Sequence, residues 1–73
     1  MKLRIGNRCT IDVADFAAAS EAYCRVRDES GEGGSTFPTG RLPGHHVSYN
    51  GKVWAGKPSD WKVGTVPVFN PYQ

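Results

Sequence analysis

Long apolar runs are missing from this 73-residue chain, and aliphatic residues are few. No stretch reaches the roughly 20 apolar residues of a transmembrane helix, and the N-terminal segment has no apolar run of signal-peptide length. These absences predict a cytoplasmic protein without a membrane partner. Leu, Ile, Val and Phe make only 14 of the 73 residues, but the net charge is a modest +2 and eight aromatic side chains supply area for a core. We therefore expect one small folded domain over residues 1–73.

Cysteine is scarce as well, and the residue types that build catalytic sites are scattered. Cys9 and Cys24 are too few for a disulfide framework or a zinc ribbon, so we expect two reduced thiols. His45 and His46 are adjacent, and neighbouring strand residues point to opposite faces of a sheet, so they cannot chelate one metal ion together without a bend in the strand. No serine has an evident base beside it. The sequence therefore predicts a protein that is not an enzyme and uses no cofactor.

One segment carries a clear helical pattern. Apolar residues recur at three- and four-residue steps, which predicts an amphipathic helix over residues 12–29. Its apolar stripe consists of Val13, Phe16, Ala19, Tyr23 and Val26. Asp12 or Asp15 can cap its start, and Gly31 is suited to the left-handed residue that ends a helix.

A β-hairpin precedes this helix. Apolar and polar residues alternate over residues 2–13, on both sides of the pair Gly6-Asn7. Alternation around such a pair predicts two antiparallel strands, with a positive φ at Gly6.

A second hairpin is predicted over residues 46–55. Asn50-Gly51 favours a two-residue type I′ turn, which sets Tyr49 opposite Lys52 and fixes the register. The face expected to pack on the helix then consists of Val47, Tyr49, Lys52 and Trp54, and the other face consists of His46, Ser48, Val53 and Ala55.

The remaining segments are predicted to be irregular or marginal. Residues 31–44 are rich in glycine and proline, which indicates a surface connection, with Phe37 as its anchor in the core. Residues 63–69 are a candidate for an additional edge strand, because Pro67 cannot donate to a ladder of hydrogen bonds. Residues 70–73 are expected to be a loose tail. The predicted fold is α+β, with one helix packed on a small antiparallel sheet in the order ββαββ.

Charge is segregated along the chain. Residues 12–32 hold six acidic residues against two arginines, and Glu21 and Arg25 within them are spaced for an ion pair on the helix surface. The strand regions are basic instead. If the helix covers one sheet face, the basic residues can share the other face or its rim, where they could meet phosphate groups. These candidate nucleic-acid-binding residues are Arg4, Arg8, Arg41, Lys52, Lys57 and Lys62.

Two sequence blocks carry a resemblance to known proteins. They are RDESGEGGSTFP at residues 27–38 and SYNGKVW at residues 48–54. They resemble a group of short uncharacterised proteobacterial proteins, some of which are carried by prophages and mobile elements. The resemblance implies a bacterial cytoplasmic protein with an accessory role, and it brings no fold, activity or site residue with it.

Two classes of function fit these observations. The first is a small binding module for a protein partner, which would meet the acidic helix or the edge strand around Pro67. The alternative is nucleic-acid binding through a basic sheet face interleaved with aromatic residues. The position of Tyr49 and Trp54 distinguishes the two, because aromatic residues packed in the core cannot stack on bases.

Overall fold

A computed structural model describes residues 1–73 as one helix packed on a five-stranded antiparallel sheet. The elements are β1 (Lys2–Ile5), β2 (Cys9–Asp12), α1 (Phe16–Ser30), β3 (Gly40–Leu42), β4 (His45–Val47), β5 (Val53–Ala55) and a 3₁₀ turn (Pro58–Asp60). The strand order across the sheet is β2-β1-β3-β4-β5. This architecture confirms the predicted α+β class, and its order, ββαβββ, has one strand after the helix that the sequence pattern did not reveal.

The helix covers one face of the sheet because β1 separates β2 from β3. Both neighbours run antiparallel to β1, so β2 and β3 are parallel and the chain must cross over between them. Helix α1 connects the two strands across one face of the sheet, and the hydrophobic core lies between the helix and that face. The buried apolar residues of the core are Leu3, Ile5, Val13, Ala19, Ala22, Tyr23, Phe37, Leu42, Val47 and Val53.

The first hairpin is confirmed, and it shortens the helix at its N-terminal end. Lys2 pairs with Asp12 at the end of the ladder, and Gly6 adopts a φ of 53° in the turn. The ladder continues beyond Asp12, since the Val13 N–H donates to the Met1 carbonyl at 2.9 Å. The prediction that the helix begins at residue 12 was therefore wrong. Asp15 is the cap, and its Oδ1 accepts a hydrogen bond from the Ala18 N–H at 2.8 Å.

The C-terminal half of the helix follows the prediction. Gly31 ends it with a φ of 70°, in the left-handed region. Arg25 Nη2 lies 3.0 Å from Glu21 Oε1 in the expected surface ion pair. The residues that α1 buries are Ala19, Ser20, Ala22 and Tyr23.

Strand β3 lies within the segment predicted to be an irregular connection. Phe37 is buried, as expected of an anchor, and three residues later the chain joins the sheet at Gly40. Pro43 and Gly44 form a two-residue turn into β4, with a φ of 68° at Gly44. A three-residue strand that begins with glycine gives no alternation pattern, so only its pairing partners define it.

The predicted register of the second hairpin was wrong by one residue. Val47 pairs with Val53 and His46 pairs with Trp54, so the loop between the strands has five residues instead of two. Gly51 has a positive φ of 88°, but no residue other than glycine does, which excludes a type I′ turn at Asn50-Gly51. A one-residue shift exchanges the two faces of a strand. Val53 is therefore in the core, and Trp54 lies on the face away from the helix.

The segment after β5 stays close to the body of the fold. In the predicted edge strand, 63–69, no regular strand forms: one bridge joins Phe69 to Val53, and the Val68 N–H donates to the Val53 carbonyl at 2.8 Å. In the predicted tail, the Tyr72 hydroxyl donates to the Asn50 carbonyl at 3.0 Å. Both cysteines are free and partly buried. Neither the helix nor the 3₁₀ turn has the length and apolar character needed to cross a bilayer.

Candidate functional site

The sheet face away from α1, which we call the outer face, carries the polar residues of the central strands. Along β1, Leu3 and Ile5 are fully buried under the helix, so the alternating Lys2 and Arg4 point outward. Along β3, Leu42 is buried and Arg41 is exposed in the same way.

The strand registers align five outward residues in one row across all five strands. Arg4 on β1 is opposite Thr10 on β2 and Arg41 on β3, and Arg41 is opposite His46, which is opposite Trp54. Directly opposed residues share a face of the sheet, with their Cβ atoms roughly 4.5–5.5 Å apart. We call this line the cross-strand row: Thr10, Arg4, Arg41, His46 and Trp54.

The two arginines of the row have no acidic partner. The ion pairs of the protein are Lys2–Asp12, Arg8–Glu32, Arg25–Glu21 and Arg27–Asp28. Arg4 and Arg41 are exposed and belong to none of them, although like charges directly opposite each other destabilise a sheet. Asp12 is the acidic residue nearest in the ladder, and Lys2 at 2.8 Å neutralises it and lowers the pKa of its carboxyl. The centre of the outer face is therefore positively charged.

His46 is held rigidly next to this charge. Its side chain is buried, and its Nδ1 lies 3.0 Å from the Gly56 carbonyl oxygen, which can only accept, so Nδ1 carries the proton. In the neutral ring Nε2 is then an acceptor, and it has no partner within the protein. No fully buried side-chain nitrogen or oxygen lacks a hydrogen bond, so Nε2 is not fully enclosed, and His46 lines the open depression beside Trp54.

The chain after β5 folds back and places a second tryptophan beside Trp54. Gly56, with a φ of 80°, makes this reversal, and a Cβ built there would lie 2.8 Å from Asp60 Oδ2. Asp60 in turn accepts a hydrogen bond from the Lys57 N–H at 2.9 Å and fixes the 3₁₀ turn. The ring of Trp61 then lies 6.1 Å from that of Trp54, at 87° to it.

The two perpendicular rings form two walls of an open cleft of about 310 Å³. We call it the tryptophan cleft; its lining residues are Thr39, His46, Ser48, Asn50, Trp54, Pro58 and Trp61. Trp54 is fixed in place because its Nε1–H donates to Ser48 Oγ at 3.0 Å. Ser48 Oγ donates to Asn50 Oδ1, which also accepts from the Lys52 N–H at 3.1 Å. The Asn50 amide nitrogen has no partner within the protein and is free to donate.

Two of the six predicted basic site residues meet at the centre of the outer face, and the other four lie outside the cross-strand row. Arg4 and Arg41 are neighbours in the cross-strand row. Lys57 and Asp60 share a depression with Arg41 at one end of the sheet, so one acidic side chain lies near these two bases. Lys52 lies at the other end, in the β4–β5 loop, and Lys62 is exposed in the segment after Trp61.

Arg8 is already neutralised. Both of its terminal nitrogens bond the Glu32 carboxylate, and its guanidinium lies 5.3 Å from the centre of the Phe37 ring. The hydrogen bonds from Arg8 lower the pKa of Glu32. Arg8 therefore fastens the first hairpin to the connection after the helix, and it offers less charge to a ligand than Arg4 does.

The aromatic residues are distributed differently from the prediction. Trp54 was expected in the core and instead lies on the outer face. Tyr49 packs beside Phe37 on the helix side, under the guanidinium of Arg27. His46 and Asn50 were not predicted as site residues. The signal for His46 was the Pro43-Gly44 turn, which sets the register of β4 against β3 and brings His46 beside Arg41.

Other chemically active side chains do not form a second site. His45 packs on the ring of Phe16 at 4.7 Å, on the opposite face from His46, as predicted for adjacent strand residues. No three His, Cys, Asp or Glu side chains come together in a way that could hold a metal ion. No protein-family model, curated protein or solved structure matches the chain.

Proposed function

We propose that this protein is a nucleic-acid-binding module whose ligand lies across the outer face of the sheet. The observation that carries the proposal is the pair of exposed arginines, Arg4 and Arg41, opposed on neighbouring strands without an acid between them. Such a pair costs stability in the free protein, and an anionic ligand between the two side chains would remove the repulsion. Arginine is well suited to this task because its guanidinium can bind a phosphate through two parallel hydrogen bonds.

The surroundings of the arginine pair support a nucleic acid over a small anion. The row continues from Arg41 through His46 to Trp54, so charge and aromatic surface lie on one line across the sheet. Phosphate contacts would position the strand, and aromatic rings would stack on its bases. The acidic surface of the helix lies on the opposite side of the molecule, where it does not repel the ligand.

Binding to labelled single-stranded oligonucleotides at low and at physiological salt tests the proposal. The variant with Arg4→Gln and Arg41→Gln should bind more weakly than the parent protein. Its plot of log affinity against log salt should be flatter by about 1.4, because each lost phosphate contact of a single strand accounts for ~0.7 of the slope. Absence of binding at micromolar protein and low salt would refute the proposal.

Arg25→Gln is the matched control for charge. Arg25 is exposed on α1, and its ion-pair partner is Glu21 on the same helix. This variant removes a positive charge from the face opposite to the proposed site. A loss of affinity as large for Arg25→Gln as for either single arginine variant of the row would mean that net charge, and not the outer face, governs binding.

A protein partner is the second candidate, and exposed apolar residues near the C-terminus favour it. Val63, Val66 and Val68 are 93%, 80% and 46% exposed in the segment predicted to be an edge strand. An extended chain of a partner could pair beside this segment and cover the valines. Replacing Val63 and Val66 by Ser would weaken such a complex and leave oligonucleotide binding unchanged.

A further inference from the structure

We infer that the tryptophan cleft is a subsite for one unstacked nucleobase, so that the ligand of the outer face is a single strand. This inference rests on the proposed function and adds the part of the ligand that the arginines do not recognise. A base pair inside a duplex has both faces covered by its neighbours, whereas a base of a single strand can turn out and enter a cleft.

The shape of the cleft fits a planar ring. Trp54 and Trp61 stand at 87° to each other, so a base that lies flat on one indole presents its edge to the other. The volume of about 310 Å³ is at the lower end of the ~300–1,000 Å³ range of small-molecule sites. Trp61 is 46% exposed, which leaves much of its ring uncovered beside the cleft.

The walls of the cleft are largely formed before a ligand arrives. Ser48 holds the indole of Trp54, and the carbonyl of Gly56 holds the ring of His46. The Gly56 reversal and the Asp60 hydrogen bond position the 3₁₀ turn that carries Trp61. A binding site with fixed walls loses little conformational entropy when it binds its ligand.

The free polar groups of the cleft match the edge of a base. His46 Nε2 is an acceptor in the neutral ring, and the Asn50 amide nitrogen supplies donors, and neither has a partner within the protein. The Watson–Crick edges of nucleobases present donors and acceptors side by side, which a single strand leaves free. The cleft therefore offers both a stacking surface and edge contacts, which a simple phosphate site does not need.

The position of the cleft relative to the arginines sets the path of the strand. His46 forms one wall of the cleft and is directly opposite Arg41, which is directly opposite Arg4. Neighbouring strands are about 4.8 Å apart. Arg41 therefore lies one strand away from His46, and Arg4 lies two strands away from it. A strand with one base in the cleft can thus lay its backbone over Arg41 and Arg4.

Three labelled ligands of equal length test the inference: a single-stranded oligonucleotide, the same strand built of abasic residues, and a duplex. The parent protein should bind the base-bearing strand roughly 5- to 150-fold more tightly than the abasic strand, which corresponds to ~1–3 kcal/mol for one stacked base. The duplex should bind more weakly than the base-bearing strand, because its bases cannot enter the cleft. Binding should also quench tryptophan fluorescence, because both indoles line the subsite.

Variants separate the subsite from the phosphate contacts. Trp61→Ala should lower affinity for the base-bearing strand toward that of the abasic strand and leave abasic binding unchanged. The Arg4→Gln and Arg41→Gln variant should weaken both. Val63→Ala, a truncation of a 93% exposed side chain two residues from Trp61, is the control and should change neither.

Several results would overturn the inference. Equal affinity of the parent for base-bearing and abasic strands refutes the base subsite, and if the arginine variant still binds more weakly, the proposed function survives. A duplex bound more tightly than the single strand also refutes it. A mononucleotide bound as tightly as the strand would assign the cleft to a free nucleotide. If no oligonucleotide binds, both the inference and the proposed function fail.

Discussion

Ser20 and Gly51 join the helix directly to the β4–β5 loop. Ser20 Oγ donates to the Gly51 carbonyl at 2.7 Å, and both residues are buried. The loop is drawn so close to α1 that a Cβ built on Gly51 would lie 2.7 Å from Cys24 Sγ. This position therefore requires glycine for two reasons: its backbone has a φ of 88°, and there is no space for a side chain.

Gly51→Ala is expected to destabilise the protein strongly. The left-handed backbone alone costs a residue with a side chain ~1–3 kcal/mol, and the contact with Cys24 adds to it. Denaturant unfolding, followed by tryptophan fluorescence, measures the loss as a lower midpoint at an unchanged slope.

Gly31→Ala is the matched control for this substitution. Gly31 also has a positive φ, of 70°, but nothing lies within 4 Å of a Cβ built there. Gly31→Ala should show only the cost of the left-handed backbone, and its loss of unfolding free energy should therefore be smaller than that of Gly51→Ala. Equal losses for the two variants would show that the contact between the loop and the helix does not contribute.

A second prediction concerns the packing of β3 under the helix. A Cβ built on Gly40 would lie 3.0 Å from both Leu3 Cδ1 and Tyr23 Cδ2 and 3.1 Å from Val47 Cβ. Gly40→Ala should therefore lower the free energy of unfolding by ~1–3 kcal/mol through overpacking. Gly33→Ala, where a Cβ meets nothing within 4 Å, should be close to neutral. A stable Gly40→Ala protein would mean that Tyr23 moves away from β3 at little cost.

The third prediction is a loss of stability at high pH. Burial raises the pKa of Tyr23 to about 12, and its hydroxyl donates to the Pro38 carbonyl at 2.8 Å. An unfolded tyrosine ionises near pH ~10. Between these values the unfolded chain has lost a proton that the folded protein retains, so the stability present below pH ~10 falls as the pH rises toward 12.

Ultraviolet absorbance of phenolate can follow this transition. The difference between the titration curves of the parent and Tyr23→Phe isolates Tyr23, and its midpoint should lie near 12 in the folded protein. In concentrated urea the same difference should move to near pH ~10. A midpoint near 10 under native conditions would contradict the buried environment of this hydroxyl.

The fourth prediction ranks the basic residues of the outer face and its rim. Lys52 precedes β5 and Lys57 follows it, so they lie at opposite ends of that strand. Replacing both by Gln should weaken oligonucleotide binding, with the salt slope flatter by at most about 1.4, which is ~0.7 per phosphate contact. We expect a smaller loss of affinity than for the Arg4 and Arg41 variant, because only the arginines occupy the centre of the row. A larger loss of affinity for the lysine variant than for the arginine variant would mean that the ligand binds at the ends of β5 and not at the centre of the outer face.

Local sequence determined the features that depend on neighbouring residues alone. Gly31 ended the helix where its freedom to adopt a positive φ predicted, and Gly6 made the first turn. The ion pair between Glu21 and Arg25 followed from their four-residue spacing. The α+β class was predictable for the same reason, since apolar residues recur at every second position in the first hairpin and at three- and four-residue steps in the helix.

Tertiary structure decided the start of the helix, the presence of β3 and the register of the last hairpin. Asp12 pairs with Lys2, and the Val13 N–H bonds the Met1 carbonyl, so both residues extend strand β2 instead of starting the helix. The spacing of apolar residues along the chain does not reveal these pairing partners. Strand β3 has three residues and exists through its pairing with β1 and β4. Asn50 and Gly51 lie in a five-residue loop that contacts Ser20, instead of forming a two-residue turn. That single shift of register put Trp54 on the outer face, because side chains alternate between the faces of a strand at every residue.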